Sequence, residues 1–341
     1  MSKMNSIISV LMPIYKGEKH LKEAIDSILN QTFTNFEFVI VNDASPDNSE
    51  EIILSYDDPR IIYKKHKYNK GLVSALNSGL AICKGKYIAR MDQDDISDVK
   101  RLQLQYDFME NNPDYILLGG QADIINSKYR LENPTTDKSI RAQLILNTAF
   151  VHPTVMLRKS MLDIYNLKYS EKYKHAEDYG FWIDLAEHGK IANLSQTCLY
   201  YRRHEEQYTV VFNHDMRKMG NEIRKKYLRN SKVDLSNVDL ELLETITERR
   251  IKYHDEDNVI LLGDFLSRLP NYFVNSSIEK IEVKKLAYRI WNRICDERMK
   301  AGLPTYKIYI SSSLAFYKFN LKIHLFYLKK NVFKLIGFSL Y

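Results

Sequence analysis

The architecture of this chain is set in residues 7–43, which read IISVLMPIYKGEKHLKEAIDSILNQTFTNFEFVIVND. Ile7–Met12 and Phe36–Val41 are almost continuously apolar, which is typical of strands that are buried on both faces. Between these two runs, apolar residues recur at helical spacing within His20–Leu29. A buried strand, an amphipathic helix and a second buried strand predict the first unit of a parallel sheet.

The same alternation continues along the first third of the chain. The sequence predicts further helices and strands at Asp47–Tyr56, Ile61–Tyr63, Gly71–Cys83, Tyr87–Met91 and Ser97–Asn111. Such alternation indicates an α/β fold with a Rossmann-like, mainly parallel sheet and helices on both faces. Because ligands bind beyond the carboxyl ends of such strands, we expect the site where three polar loops meet. These loops are Pro13-Ile14-Tyr15, Asn42-Asp43-Ala44-Ser45 and Asp92-Gln93-Asp94-Asp95.

Farther along the chain the pattern is mixed, and then it becomes helical. Short strands are predicted near Ile116–Leu118, Thr154–Leu157 and Thr197–Tyr201, with a helix near Asp178–His188. After Arg203, amphipathic stretches predict helices around His214–Arg229, Leu240–Lys252 and Ile278–Met299. We therefore expect a sheet domain over residues 1–210 and a helical C-terminal region over residues 211–341.

Composition excludes several classes of protein. The 341 residues have ordinary apolar and charged fractions with few glycines and prolines, which argues against a disordered, collagen-like or linker-rich chain. Cys83, Cys198 and Cys295 have no metal-type spacing and indicate a reduced, cytoplasmic protein. Neither a secretory signal nor an apolar run of roughly 20 residues is visible, so we expect no membrane-spanning segment.

Much of the basic character, with a net charge of +7, lies in the C-terminal tail. From Leu303 onward the sequence has six lysines, ten aromatic residues and no acidic residue. On a helical wheel, Leu314–Lys330 gathers lysines in one sector and aromatic rings around the rest, which is typical of a helix on an anionic membrane surface. The same helix could instead pack on the sheet domain or on a second subunit of a homo-oligomer. No recognised nucleic-acid motif accompanies these lysines, so we expect no nucleic-acid partner.

The strongest local signal in the sequence is the acidic cluster Asp92, Asp94 and Asp95. No glycine-rich dinucleotide motif or P-loop follows any predicted strand, so the sheet must hold its ligand another way. Carboxylates this close repel one another unless a cation neutralises them, and hard oxygen ligands suit Mg²⁺ or Mn²⁺. The alternative is a solvated turn in which Asp95 or Ser97 caps the following helix.

Two further aspartates each allow a functional and a structural interpretation. Asp43 could accept a hydrogen bond from the imide N–H of a nucleobase, or it could cap the helix after Pro46. Asp178 could be a general base towards a hydroxyl nucleophile, or an N-cap that satisfies free backbone N–H groups. Taken singly, both residues favour the structural interpretation, and lone histidines such as His152 and His204 would not be singled out.

The motifs occur together in one order, and this order is more specific than any single motif. They are Val10-Leu-Met-Pro-Ile-Tyr15, Ile40-Val-Asn-Asp43-Ala-Ser-Pro46, Asn69-Lys-Gly71, Ala75-Leu-Asn77-Ser-Gly79-Leu80, Tyr87-Ile-Ala-Arg90-Met-Asp92-Gln-Asp94-Asp95, Ala176-Glu-Asp178-Tyr-Gly-Phe-Trp182 and Tyr201-Arg-Arg-His204-Glu-Glu-Gln207. Over residues 6–208 the series closely resembles the family 2 glycosyltransferases with a GT-A fold, especially bacterial enzymes that extend surface polysaccharides.

The resemblance implies a role for residues of each motif. The residues it places around the nucleotide are Pro13, Tyr15 and Asp43 at the uridine, Asn69, Gly71 and Asn77 beside it, and Arg90 and Asp92 at ribose or phosphate. It also implies a Mn²⁺ or Mg²⁺ ion on Asp94, with Asp92 and His204 as further ligands, and Asp178 as the catalytic base.

By the same resemblance we expect an inverting, metal-dependent transferase. It would move a hexose or N-acetylhexosamine from a UDP-sugar to a hydroxyl of a saccharide acceptor, which is lipid-linked in related enzymes. Such an enzyme would serve capsule, lipopolysaccharide or O-antigen synthesis in the cytoplasm, at the inner face of the cytoplasmic membrane. The alternatives are a GDP- or dTDP-sugar donor on the same fold and a non-catalytic nucleotide-binding scaffold.

Overall fold

The computed structural model describes residues 6–204, 213–303 and 305–317. The chain divides into two compact units, Met1–Arg224 and Lys225–Tyr341. The boundary that we expect from the sequence, at residue 210, lies N-terminal to this division. Residues 318–341, which carry most of the basic and aromatic tail, are outside the described residues, so the interpretation of Leu314–Lys330 stays a prediction.

Within residues 6–204, nine strands form one sheet. They are β1 (Ile8–Ile14), β2 (Phe36–Asn42), β3 (Ile61–Lys65), β4 (Tyr87–Arg90), β5 (Ile96–Ser97), β6 (Tyr115–Ile124), β7 (Arg130–Leu131), β8 (Met156–Arg158) and β9 (Lys190–Tyr201). Their order is β3-β2-β1-β4-β8-β6-β9-β5, and β7 pairs with β6. The longer strand pairs run parallel, and the antiparallel pairs span two or three residues. The mainly parallel sheet that the sequence predicts is confirmed.

The two central strands explain why the fold can be predicted. Every residue of β1 and β2 is buried, and the strands pair in parallel from Ile8 opposite Phe36. Because successive side chains point to opposite faces of a sheet, complete burial means that both faces are covered. The first helix supplies part of this cover, since its apolar residues are buried at helical spacing: Leu21, Ala24, Ile25 and Ile28.

The helices of the first unit connect the strands and place the loops at the sheet edge. They are α1 (Leu21–Leu29), α2 (Ser49–Leu54), α3 (Leu72–Leu80), α4 (Arg101–Asn111), α5 (Asp137–Gln143), α6 (Lys159–Tyr165) and α7 (Glu177–Ala186). Helix α3 lies very close to β1, because a Cβ on Gly79 would be 2.1 Å from Cδ1 of Leu11. The following helix, α8 (Asn213–Asn230), crosses the division between the units.

The start of α4 differs from the sequence-based expectation. Residues Ile96–Ser97 form β5 and pair with β9, so the helix begins only at Arg101. The carboxylate of Asp98, rather than Asp95 or Ser97, accepts the main-chain N–H of Lys100 at 2.9 Å. The interpretation of Asp95 or Ser97 as a helix cap is therefore wrong.

The second unit is helical. Its helices are α9 (Asn237–Thr247), α10 (Glu256–Arg268), α11 (Lys280–Lys300) and α12 (Tyr306–Ser311). Trp291 of α11 is fully buried, and Gly263 of α10 makes room for its ring, since a Cβ there would lie 2.8 Å from the indole. No helix among the described residues is both long enough and apolar enough to span a bilayer.

Candidate active site

Polar side chains meet beyond the carboxyl ends of three neighbouring strands. Pro13 lies near the end of β1 and Tyr15 directly follows it, while Asp43 follows β2 and Asp92 lies just past β4. Because β1 pairs in parallel with both β2 and β4, these three ends are adjacent at one edge of the sheet. The edge that the sequence predicts as the site is therefore the edge at which these residues lie.

The loop after β1 is tied to the acidic loop by Gln93. The main-chain N–H of Tyr15 donates to Gln93 Oε1 at 2.8 Å, and Gln93 Nε2 donates to the Tyr15 carbonyl at 3.0 Å. A Cβ on Gly17 would lie 2.8 Å from Gln93 Oε1, so this position requires a residue without a side chain. The Tyr15 residue is 41% exposed, which leaves its ring accessible to a ligand. The sequence analysis did not single out Gln93.

Asp43 is buried and bonds to the segment after β3. Its carboxylate accepts the main-chain N–H of Lys70 at 2.9 Å and that of Gly71 at 2.7 Å. It also lies 2.6 Å from Nδ1 of His66, a residue that the sequence analysis did not single out. Helix α2 begins only at Ser49, so the interpretation of Asp43 as its cap is wrong.

The loop that precedes α3 is shaped around Asp43. Asn69 Nδ2 donates to the Asp43 carbonyl at 3.3 Å. Gly71 has φ of 86°, a left-handed conformation that strains any residue with a Cβ. Asn77 instead bonds both main-chain groups of Tyr169, donating at 2.8 Å and accepting at 3.0 Å. Asn77 therefore fastens the Tyr169 segment to α3.

The acidic cluster is compact. One carboxylate oxygen from each of Asp92, Asp94 and Asp95 lies within 4.8 Å of the other two. Burial raises the pKa of Asp92, although its ion pair with Arg90 opposes this change. Burial, followed by the charges of Asp92 and Asp94, raises the pKa of Asp95 well above its usual value. The three carboxylates thus repel one another as the sequence predicts.

The end of β9 brings two residues to this cluster. His204 Nε2 lies 2.9 Å from Asp94 Oδ2. The main-chain N–H of Arg202 donates to Asp95 Oδ1 at 2.8 Å, and its Nε donates to the Asp94 carbonyl at 2.9 Å. Arg202, which the sequence analysis did not single out, therefore holds the acidic loop next to His204.

The donor set of the cluster fits a hard divalent cation. Asp95 Oδ2 is buried and has no hydrogen-bond partner among the described atoms. Carboxylate oxygens are the ligands that Mg²⁺ and Mn²⁺ prefer, and the Asp94–His204 contact brings a neutral imidazole nitrogen within reach of the same point. An ion held by Asp94, Asp92 and His204 would offset the repulsion that keeps the carboxylate pKa values high.

Arg90 is a buried cation beside the acidic loop. It is 3% exposed and forms an ion pair with Asp92, while its Nε and Nη1 have no hydrogen-bond partner among the described atoms. The fully buried Arg101 donates from Nη2 to the Arg90 carbonyl at 2.7 Å and so fixes this strand end. Buried donors without partners are costly, which makes the Arg90 guanidinium suited to an anionic ligand.

Asp178 lies in the first turn of α7. The helix begins at Glu177 with Ala176 as its N-cap residue, so the interpretation of Asp178 as the cap is wrong. Its Oδ1 accepts the main-chain N–H of Tyr179 at 2.6 Å. Burial raises the pKa of Asp178, while the charge of Arg90 opposes the change. A carboxylate with a raised pKa is a stronger base than an exposed aspartate.

Two neighbours complete the buried part of the site. Burial, and then the charge of Asp178, raises the pKa of Glu177 to about 7. His152 Nε2 lies 2.9 Å from Tyr169 Oη, and burial lowers the pKa of this imidazole well below its usual value. His152 is therefore a neutral, structural histidine beside Tyr169.

Comparison with known sequences gives consistent matches. A family model described as "Glycosyl transferase family 2" matches residues 9–204. A glycosyltransferase of Haemophilus influenzae, itself uncharacterised, is 28% identical over 295 residues, which are 81% of this chain and 90% of that protein. The Escherichia coli protein WfgD, named UDP-Glc:alpha-D-GlcNAc-diphosphoundecaprenol beta-1,3-glucosyltransferase, is 29% identical over 198 residues, which are 58% of this chain and 77% of WfgD.

Among solved structures, Staphylococcus aureus TarS 1–349 in complex with UDP-GlcNAc is similar to this chain. The TM-score is 0.58 at 18% sequence identity, over 87% of this chain and 92% of that chain. At this level of identity the likeness shows a shared fold, the GT-A fold. Since the family model covers more than half of the residues and the strand-end motifs meet at one edge of the sheet, this chain is a bacterial glycosyltransferase of family 2.

Proposed function

We propose that this enzyme moves a hexose or N-acetylhexosamine from a UDP-sugar to a hydroxyl of a saccharide, with inversion at the transferred carbon. The observation that carries the proposal is the contact of His204 with Asp94 beside Arg90, because it assembles a cation site and an anion site at one strand edge. The name of WfgD specifies a UDP-sugar donor, and TarS was solved with one, which favours this donor class over GDP- or dTDP-sugars.

The nucleotide would lie across the ends of β1 and β2. Tyr15 offers an accessible ring and Asp43 an acceptor for a base N–H, while the unpartnered donors of Arg90 meet the diphosphate. Asp94, Asp92 and His204 would hold Mn²⁺ or Mg²⁺, which when bound stabilises negative charge on the departing pyrophosphate. Asp95 and Arg202 fix the loop that presents these groups.

Asp178 would act on the acceptor. Its carboxylate takes the proton of the attacking hydroxyl while the hydroxyl oxygen bonds to the anomeric carbon, and the bond from that carbon to UDP breaks. Attack on the face opposite the departing UDP inverts the configuration, so an α-linked donor gives a β-linked product. Because burial raises the pKa of Asp178, this carboxylate accepts a proton more readily than an exposed aspartate does.

We further propose a lipid-linked saccharide as acceptor, at the inner face of the cytoplasmic membrane, in capsule, lipopolysaccharide or O-antigen synthesis. The diphosphoundecaprenol in the name of WfgD supports a lipid-linked acceptor, and the lysines and aromatic residues of the tail support binding to anionic lipid. Deleting residues 318–341 should abolish more than half of the sedimentation with anionic liposomes. Unchanged sedimentation would refute the membrane proposal.

Calorimetric titration of UDP tests the donor assignment. We expect the purified protein to bind UDP with Mn²⁺ and to lose that binding when EDTA removes the ion. Absence of binding in both conditions would refute the UDP assignment and lead to GDP and dTDP, and then to the scaffold alternative. Asp178→Asn is the matched control, since it should bind UDP normally and fail only in transfer.

A further inference from the structure

Asp43, His66 and Ser78 form a hydrogen-bonded chain beneath the strand ends. His66 directly follows β3, and its main-chain N–H donates to the Asn42 carbonyl at 2.9 Å, which extends the pairing with β2. Its side chain is buried, with Nδ1 2.6 Å from Asp43 Oδ1 and Nε2 2.9 Å from Ser78 Oγ. Three separate elements, β2, β3 and α3, therefore fix one imidazole between a carboxylate and a hydroxyl.

The surroundings of Asp43 decide which imidazole nitrogen carries the proton. Asp43 Oδ1 also accepts the main-chain N–H of Lys70 at 2.9 Å, so this oxygen is an acceptor and Nδ1 of His66 must donate to it. The Ser78 hydroxyl can donate to Nε2 of a neutral ring or accept from a protonated one. The His66 donor therefore keeps its direction in either protonation state.

The carboxylate of Asp43 has one acceptor position left. Its two oxygens offer about four lone-pair positions. His66 and the Lys70 N–H occupy those of Oδ1, and the Gly71 N–H occupies one on Oδ2 at 2.7 Å. With three donors in place, Asp43 is held as an ionised acceptor that can receive one further N–H.

We propose that His66, supported by Ser78, is a positioning residue that makes the nucleotide site select bases with a ring N–H against bases without one. The inference rests on the proposed function, in which Asp43 meets the base. Uracil presents an N–H at N3, whereas cytosine presents a lone pair there that a fixed carboxylate repels. A site built around such a hydrogen bond rejects the analogue that lacks the donor. Without His66, the Asp43 carboxylate can rotate or take up a proton, and this discrimination falls.

The test compares UDP with CDP in the full-length protein with Mn²⁺, by calorimetry. His66→Leu removes the donor at similar volume, and His66→Asn keeps an N–H near the position of Nδ1. We expect the wild type to bind UDP at least about 100-fold more tightly than CDP. His66→Leu should weaken UDP binding about tenfold and reduce the UDP:CDP ratio below about tenfold, and His66→Asn should restore the ratio to within about threefold of wild type.

Each outcome separates the inference from the proposed function. A wild type that binds no UDP refutes the proposed function and the inference with it. A wild type that binds UDP, with an unchanged ratio in His66→Leu, overturns the inference alone. An equal loss in His66→Asn and His66→Leu also overturns it, because the ring rather than its donor would then matter. Ser78→Ala gives a readout independent of the folding of the His66 variants: a ratio reduced about threefold supports the chain, and an unchanged ratio overturns it.

Discussion

Glu177 gives a prediction that joins the buried site to the stability of the protein. The side chain is 4% exposed at the start of α7, and its Oε2 has no hydrogen-bond partner among the described atoms. Burial, and then the charge of Asp178, raises the pKa of Glu177 from 4.5 to about 7. A native pKa above the unfolded value means that the native state binds more protons across this window. Folding stability therefore falls as the pH rises from 4.5 to about 7.

The size of the effect follows from the same shift. One unit of pKa difference corresponds to about 1.36 kcal/mol, so the shift corresponds to about 3 kcal/mol. This cost is absent below the unfolded pKa and complete above the native one. Glu177→Gln replaces the carboxyl with a neutral amide of similar size and removes the titration. At about pH 8 the variant should therefore be more stable than the wild type by about 3 kcal/mol.

Urea unfolding of the two proteins at about pH 5 and about pH 8 measures this difference. Other titrating groups contribute similarly to both proteins, so the change in the difference between the two pH values reports on Glu177. We expect little difference in the free energy of unfolding at the lower pH and most of the gain at the higher one. A difference that is the same at both pH values would refute the argument, because Glu177 would then ionise in the native state without a cost.

Three further predictions concern the base, the metal and the packing of α3. Asp178→Asn should lower sugar transfer about 10²–10⁴-fold with normal UDP binding, and near-normal turnover would contradict the base assignment. Asp94→Asn should make UDP titrations insensitive to EDTA; a retained Mn²⁺ dependence would place the ion elsewhere. Gly79→Ala should lower the free energy of unfolding by about 1–3 kcal/mol, because its Cβ would meet Leu11. Gly220→Ala, whose Cβ meets nothing within 4 Å, is the control that should not destabilise.

The central strands could be predicted because their sequence alone specifies their environment. Ile7–Met12 is apolar at almost every position, and the strand it predicts lies at Ile8–Ile14 with every residue buried. Strand β9 was only half predicted, because its first residues pair with β6 through register shifts that depend on a partner far away in sequence. The seven-residue helix α5 was missed, since its cap, Thr136, is an ordinary threonine in a polar stretch.

The site could be predicted as a set of loops, and its contacts could not. The interpretation of Asp43 as a cap considered only nearby N–H groups, whereas its donors lie 27 and 28 residues farther along the chain. Gln93 and Arg202 were missed for the same reason, because each matters through a main-chain group on another strand end. Local sequence shows which side chains could act, and long-range pairing decides which of them meet.

The antiparallel pairing of β4 with β8 has a consequence for how such enzymes diversify. Only three residues of each strand pair there, from Tyr87 opposite Arg158 to Ala89 opposite Met156. On one side of this seam lie the loops at Tyr15 and Asp43, and on the other lies α7 with its first-turn carboxylates. Residues that read a donor and residues that receive an acceptor are therefore encoded in consecutive blocks of the gene. Recombination at the seam exchanges one block without rewriting the other, so new linkages can arise while the donor stays the same.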